Sequence, residues 1–155
     1  MTKTNAVRIL EACKILYNTV SYEVDENDLS GISVANKIGV NAEIVFKTLV
    51  ADGDKNGINV FCIPVTSELN LKKAAEVSNN KKVEMIKVND LFFITGYIRG
   101  GCSPIGMKKK FPTFIEETSQ LFDNIYISAG VRGMQISLSL KDLQGITNAT
   151  FADLI

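Results

Sequence analysis

The spacing of apolar positions changes several times along the chain, and each change predicts an element. Ala6, Val7, Leu10 and Cys13 recur at helical spacing between Thr4 and about Leu16, with Thr4 placed to cap the start. On this pattern Cys13 is a small core residue. The segment TVSYEV sets Val20, Tyr22 and Val24 against Thr19, Ser21 and Glu23, the alternation of a half-buried strand. ISVANKIG predicts a short helix ended by Gly39. Two strong strands follow at residues 45–51 and 58–65, and the DGDKNG between them suits a hairpin. LNLKKAAEVS predicts a helix capped by Asn70 with Leu71, Ala74 and Ala75 facing inward. KVEMIKV reads as a short strand and NDLFFITG as a helix closed by Gly96. PTFIE, NIYISA and MQISLSL add strands, while residues 141–146 and the terminal FADLI predict short helices.

Strands outnumber helices, and hairpins mix with longer crossovers. The pattern predicts an α+β fold: a curved, mixed, largely antiparallel and barrel-like sheet surrounded by short helices. The regular βαβ alternation of a doubly wound fold is missing. No repeat or linker divides the sequence, so residues 1–155 are expected to form a single domain. No apolar run approaches the roughly 20 residues needed to cross a bilayer. Arg8, Glu11 and Lys14 interrupt the amino-terminal pattern, which argues against a signal peptide or anchor and for the cytoplasm.

Seventeen basic and seventeen acidic residues cancel. The whole chain therefore exerts no strong pull on a polyanion, and any nucleic-acid contact must come from a local patch. The sequence contains no histidine. A Ser-His-Asp triad, a Cys-His dyad and a histidine-held metal are excluded together. Cys13, Cys62 and Cys102 lie too far apart for a CxxC pair, so neither a zinc site nor a disulfide framework is expected.

Lys47 is the first candidate for chemistry. Strand alternation puts it on one face with Val45, Leu49 and Ala51, with Phe46, Thr48 and Val50 opposite. A lysine in so apolar a strand either enters a polar pocket or runs its stem along the sheet to water; both readings stand. The second candidate is TGYIRGGCSPIG, whose glycines allow close approach of backbone to a ligand. It lacks the lysine of a P-loop and the spacing of a dinucleotide fingerprint, and by itself it reads as an ordinary surface turn. Cys102 within it has no imidazole to activate it and is not assigned catalysis. SAGVRGMQ reads from spacing as a tight turn with a solvated arginine. The runs Lys72-Lys73, Lys81-Lys82 and Lys108-Lys109-Lys110 either meet RNA phosphates or form solvated faces.

In order along the chain, SYEVDE with Tyr22, VFKTLV with Lys47, LNLKKAAEV, KKVEM, TGYIRGGCSPIG before MKKK, IYISAGVRG and the final FADLI resemble the YbaK/EbsC family. That family is similar to the editing domain inserted in bacterial prolyl-tRNA synthetases. The resemblance covers nearly the whole chain. It implies a pocket at the Lys47 strand and clearing of misacylated tRNA, above all cysteine on tRNA(Pro) and also on tRNA(Cys), with no cofactor or metal. The partners it implies are the aminoacylated 3′ end of tRNA and prolyl-tRNA synthetase.

On this resemblance the substrate's own thiol attacks its ester. Lys47 anchors the aminoacyl-adenosine end, and Gly100 and Gly101 line the carbonyl. Tyr22, Ser30, Gly31, Ser103, Gly106, Ser128, Gly130, Arg132 and Gln135 complete the substrate-binding wall. Four positions depart from the family pattern: Ser30 for an aromatic residue, Ala129 for glycine, Val131 for lysine and Gln135 for aspartate. An alanine-preferring site using a bound water, or a non-catalytic module for nucleotides or RNA ends, are the alternatives.

Overall fold

The computed structural model describes residues 3–155. Helix α1 (Asn5–Ala12) starts where Thr4 Oγ1 accepts the Val7 N–H at 3.2 Å, and it buries Ala6, Val7 and Leu10. It ends a turn earlier than the apolar spacing predicts. Lys14 adopts φ 57° directly after the Cys13 cap, which turns the chain outward and leaves Cys13 exposed rather than in the core. Strand β1 (Tyr17–Ser21) likewise lies earlier than TVSYEV suggests, because its register against a later strand stops at Ser21.

Helix α2 (Gly31–Ile38) is capped by Ser30 Oγ and closed by Gly39 at φ 74°. The hairpin of β2 (Phe46–Gly53) and β3 (Gly57–Pro64) turns at residues 54–56. Its tip is clamped from outside the hairpin: Asn80 Oδ1 accepts the N–H groups of Lys55 and Asn56 at 2.9 and 3.3 Å. Helix α3 (Leu71–Val77) buries Ala74 and Ala75 but leaves Leu71 45% exposed, so that residue faces water and not the core. Strand β4 (Val83–Met85) and helix α4 (Val88–Thr95), closed by Gly96 at φ 87°, follow the expected order.

β5 (Thr113–Glu116), β6 (Asn124–Ser128), β7 (Met134–Ser139) and α5 (Leu140–Thr147) fall where the pattern places them. The terminal FADLI does not. Asn148 at φ 52° ends α5, and residues from Thr150 onward pair parallel with β5 as β8 (Thr150–Ala152) instead of forming a helix. Glu116, 1% exposed, fixes this end: its carboxylate accepts the N–H groups of Leu154 and Thr118, each at 2.8 Å.

The strands form two sheets. One is antiparallel in the order β1-β7-β6; the other is mixed in the order β4-β2-β3-β5-β8, with β3, β5 and β8 parallel. Among the described residues a single parallel bridge, Val45 to Tyr126, joins them. The barrel-like closure expected from the sequence is therefore replaced by an α+β arrangement of two open sheets. Phe46, Cys62, Ile115, Ile127 and Ile136 pack between elements of both, with the inner side of α1 covering them. Ala51, Phe61 and Ile63 pack on the other side of the mixed sheet against Ala74 and Ala75 of α3.

Candidate functional site

β4 covers β2 only from Ala51 to Gly53, and Ile86 adds one bond from its N–H to the Val50 carbonyl at 3.2 Å. Between this pairing and the Val45–Tyr126 bridge, β2 has no strand on that side among the described residues, and a cleft of about 510 Å³ opens there. The start of α2, the β2 edge, the residues after β4, the glycine loop and the ends of β6 and β7 surround it. Strand alternation that turns the Val50 carbonyl toward Ile86 turns the N–H and C=O of Thr48 to the same, uncovered edge.

Lys47 lines this cleft with its side chain 29% exposed. Its register partner is Ile63, which puts it on the α3 side of the sheet with Leu49 and Ala51. The open edge lets it reach the cleft from that side. Its Nζ lies 3.7 Å from Glu68 Oε1, a carboxylate 95% exposed. A pair this long and this wet holds the ammonium weakly and leaves it available to an anion. Both earlier readings of Lys47 thus have a share: a half-buried stem, and a head at a polar opening.

Gly100 enters the cleft from the loop, at φ 83°. Gly101 is buried behind it, and its N–H donates to the Ile98 carbonyl at 2.9 Å, so that donor is already committed. A Cβ on Gly101 would lie 2.9 Å from the Val131 carbonyl carbon and 3.0 Å from the Arg132 nitrogen, which is why a side chain is excluded there. Arg132 Nε donates to the Arg99 carbonyl at 2.8 Å. The SAGVRG turn therefore buttresses the glycine loop from behind, and Arg132 is a strut rather than a wall of the cleft. The N–H groups of Gly100 and Cys102 have no acceptor among the described residues.

Of the other sequence candidates, Ser30, Gly31, Ser128 and Gln135 line the same cleft. Ser30 Oγ accepts the Ser33 N–H at 3.2 Å, and Ser128 Oγ accepts the Gly130 N–H at 3.1 Å. Gly31 packs against Val65, whose methyl occupies the place of any Cβ. Gln135, paired with Ser128 across β6 and β7, is 5% exposed, and its Oε1 has no hydrogen-bond partner among the described residues. That oxygen is itself out of contact with solvent, so its lack of a partner is a local cost to the fold.

Tyr22, Ser103, Gly106 and Gly130 lie outside the lining. Tyr22 follows β1 and donates its N–H to the Gly133 carbonyl at 2.9 Å. Ser103 is fully buried, its Oγ accepting the Ile105 N–H at 3.3 Å. Gly106 and Gly130 both pack on Tyr97, whose hydroxyl donates to the Ile105 carbonyl. Sequence reasoning overlooked Thr48, Val65, Met85 and Arg99, which also line the cleft. Thr48 carried a signal, the polar break on the second face of its strand; the others are brought in by tertiary packing alone.

Cys102 touches the cleft, but burial pushes its thiol up to about 12, opposed only in part by the Thr95 hydroxyl. It is a neutral thiol at physiological pH and no nucleophile. Burial likewise raises Cys62 and Tyr97 to about 12. Among the described residues no cluster of three or more His, Cys, Asp or Glu could hold a metal. The cleft thus offers an ammonium, main-chain donors, small hydroxyls and one carboxamide, the equipment of electrostatic stabilisation and positioning.

Comparison with known proteins follows this geometry closely. The family model of the aminoacyl-tRNA editing domain matches residues 30–146, which contain every lining residue except Leu29. A protein of Enterococcus faecalis (strain ATCC 700802 / V583), which carries the name Cys-tRNA(Pro)/Cys-tRNA(Cys) deacylase EbsC, is 49% identical over 152 residues. The match spans 98% of this chain and 93% of that protein. A crystal structure described as a trans-editing enzyme for prolyl tRNA synthetase superposes with a TM-score of 0.82 at 21% identity, covering 99% of this chain and 98% of the other. The hypothetical protein APE2540 superposes at 0.85 and 20% identity, over 95% and 96%. These two show the fold.

Proposed function

Because this chain belongs to the aminoacyl-tRNA editing domain family, we propose that it deacylates misacylated tRNA, with cysteine on tRNA(Pro) or tRNA(Cys) as the substrate. The observation that carries this reading is the company Lys47 keeps. An ammonium, the Gly100 backbone and the Gln135 side chain line one cleft that has no imidazole and no activated thiol. Such a site suits a substrate that brings its own nucleophile.

In the mechanism we infer, Lys47 holds the anionic end of the terminal nucleotide at the cleft mouth. The Gln135 carboxamide turns when substrate binds, so that Oε1, buried without a partner among the described residues of the free protein, accepts a hydrogen from the α-ammonium of the amino acid. The substrate thiol has an ordinary pKa near 8.5, so a few per cent is thiolate at pH 7. Its sulfur attacks the ester carbonyl, a C–S bond forms and the C–O bond to the ribose breaks. The released 2′- or 3′-oxygen takes up the proton that the thiol gave, and the amino acid departs as a cyclic thiolactone. The N–H groups of Gly100 and Cys102 stabilise the oxyanion of the tetrahedral intermediate, and Gly101 acts by setting the course of the loop. Thiol and ester belong to one molecule, so the cleft contributes by holding the rotamer in which sulfur faces the carbonyl, not by bringing two reactants together.

The reading takes residues 1–155 as one editing domain working in the cytoplasm beside prolyl-tRNA synthetase. The test is loss of radiolabelled aminoacyl ester from tRNA(Pro) charged with cysteine or with alanine. Release of cysteine, with alanine retained, supports the thiol-assisted route. Release of alanine alone places a bound water in the role of nucleophile. No release from any charged tRNA overturns the enzyme reading.

A further inference from the structure

Helix α4 carries two large side chains that the fold leaves uncovered. Phe93 is 81% exposed and Phe92 59%. Val88, one turn before Phe92, is also 59% exposed and lines the cleft, so the apolar strip runs from the cleft mouth outward along the helix. Lys108 lies across the strip, its Nζ 5.2 Å from the Phe92 ring centroid and 5.7 Å from that of Phe93, and it donates to the Phe93 carbonyl at 3.2 Å. The Lys108 N–H is tied to the Thr95 carbonyl at 3.1 Å, which anchors Lys109 and Lys110 beside the end of the helix.

Each of the other two basic runs spends one of its two lysines on a carboxylate: Lys73 pairs with Asp153 and Lys82 with Glu84, each at 2.9 Å, which leaves Lys72 and Lys81. Lys87, Lys109 and Lys110 are exposed with no carboxylate within salt-bridge distance among the described residues, and Arg99 adds a further exposed cation at the cleft. Asp90 is the acid carried by α4 itself. On a chain with zero net charge, this is a local positive field around two flat aromatic surfaces.

Aromatic faces flanked by free cations, continuous with a cleft, are the combination that binds single-stranded nucleic acid: bases stack and phosphates pair. We propose that Phe92 and Phe93 form a stacking platform for unpaired bases at the 3′ end of an RNA, with Lys109, Lys110 and Lys87 on its phosphates, so that the terminal nucleotide enters the cleft past Val88. This rests on the editing reading for the identity of the RNA, but binding can be measured without any ester.

The test uses fluorescence anisotropy with an uncharged RNA hairpin bearing a four-nucleotide single-stranded 3′ end, and the same hairpin blunt-ended. The wild type is expected to prefer the overhang. Phe92→Ala with Phe93→Ala should weaken overhang binding by about tenfold or more, the scale of one to two lost base stacks, and leave the blunt hairpin unaffected. Phe93→Trp should keep affinity. Lys109→Gln with Lys110→Gln should lower the slope of log K against log salt by about 1.4, the loss of two phosphate contacts on a single strand. Equal overhang binding by the wild type and the double phenylalanine variant, or no wild-type preference for the overhang, overturns the proposal. So does a variant with unchanged RNA affinity that has instead lost binding to purified prolyl-tRNA synthetase, since the strip would then be a protein face. Turnover of tRNA(Pro) charged with cysteine separates the two ideas. A wild type that binds the overhang through the phenylalanines yet cleaves no ester keeps the platform and loses the editing reading.

Discussion

The Nε of Arg132 donates to the carbonyl oxygen of Arg99 at 2.8 Å, and this bond ties the turn between β6 and β7 to the loop that carries Gly100. Gly101 packs face to face with the backbone of Val131 and Arg132 at the same junction. The two glycine-rich segments are one structural unit. Arg132→Ala should therefore cost about 1 kcal/mol of stability, the usual net worth of a hydrogen bond. It should lower turnover more than it raises KM, because the donors of the loop lose their aim. Urea unfolding and steady-state deacylation measure the two effects separately.

Gly101→Ala is a harsher change at the same place. Its methyl meets the main chain of Val131 and Arg132, and main chain yields less than a side-chain tip. A loss of about 1–3 kcal/mol is expected, as for an overpacked interior. Activity should fall with it. Thermal unfolding detects the change, and an unaltered melting temperature would show that the two segments separate easily.

Lys47→Ala should behave in the opposite way, altering function and sparing the fold. The Glu68 partner is 3.7 Å away and almost fully exposed, so removing the pair changes stability by about 0.5 kcal/mol or less. Deacylation should drop about tenfold or more if the ammonium holds substrate charge. Glu68→Gln should leave both properties close to wild type. Parallel kinetics and melts of the two variants decide the matter.

Gln135→Met removes an acceptor that has no partner and keeps the length of the side chain. Stability is expected to rise by about 1 kcal/mol, because an unsatisfied buried oxygen is destabilising. Binding of the charged substrate should weaken at the same time. A stabilised and fully active variant would remove Gln135 from the site.

The buried thiols give a pH prediction of defined sign. Cys62 and Cys102 have native pKa values near 12 against an ordinary 9.0, so above pH 9 the unfolded chain releases protons that the folded chain keeps. Their contribution is complete below about pH 9 and is lost as pH rises toward 12, by about 1.4 kcal/mol per pH unit for each thiol. Urea midpoints measured from pH 7 to 11 should stay level and then fall. At pH 8 iodoacetamide should modify exposed Cys13 and spare the other two, and Cys102→Ser should keep full deacylase activity.

Most of this fold is legible in the sequence because its strands and helices carry strong periods. The apolar runs of β2 and β3 and the caps Thr4, Ser30 and Asn70 are local features with local causes. FADLI is not legible: three residues have no period, and only the edge of β5 turns them into a strand. The barrel-like expectation failed for a related reason. A count of antiparallel strands cannot say that β2 loses its neighbour below Ala51, and that missing neighbour is the cleft. Lys47 could be found because a cation in an oily strand demands a reason. Ser103, Gly106 and Gly130 were grouped with the site through their neighbours in sequence, yet Tyr97 and the packing of the loop use them instead. Val65, Met85 and Arg99 join the cleft only through three-dimensional proximity.

The donors at Gly100 and Cys102 belong to the main chain, and no point substitution deletes a peptide N–H short of proline. Side chains around them, such as Ser30, Thr48, Met85 and Gln135, can be exchanged one at a time while those donors persist. Selectivity and reactivity are thereby separable under mutation. A lineage could retune which amino acid fits without rebuilding the step that releases it.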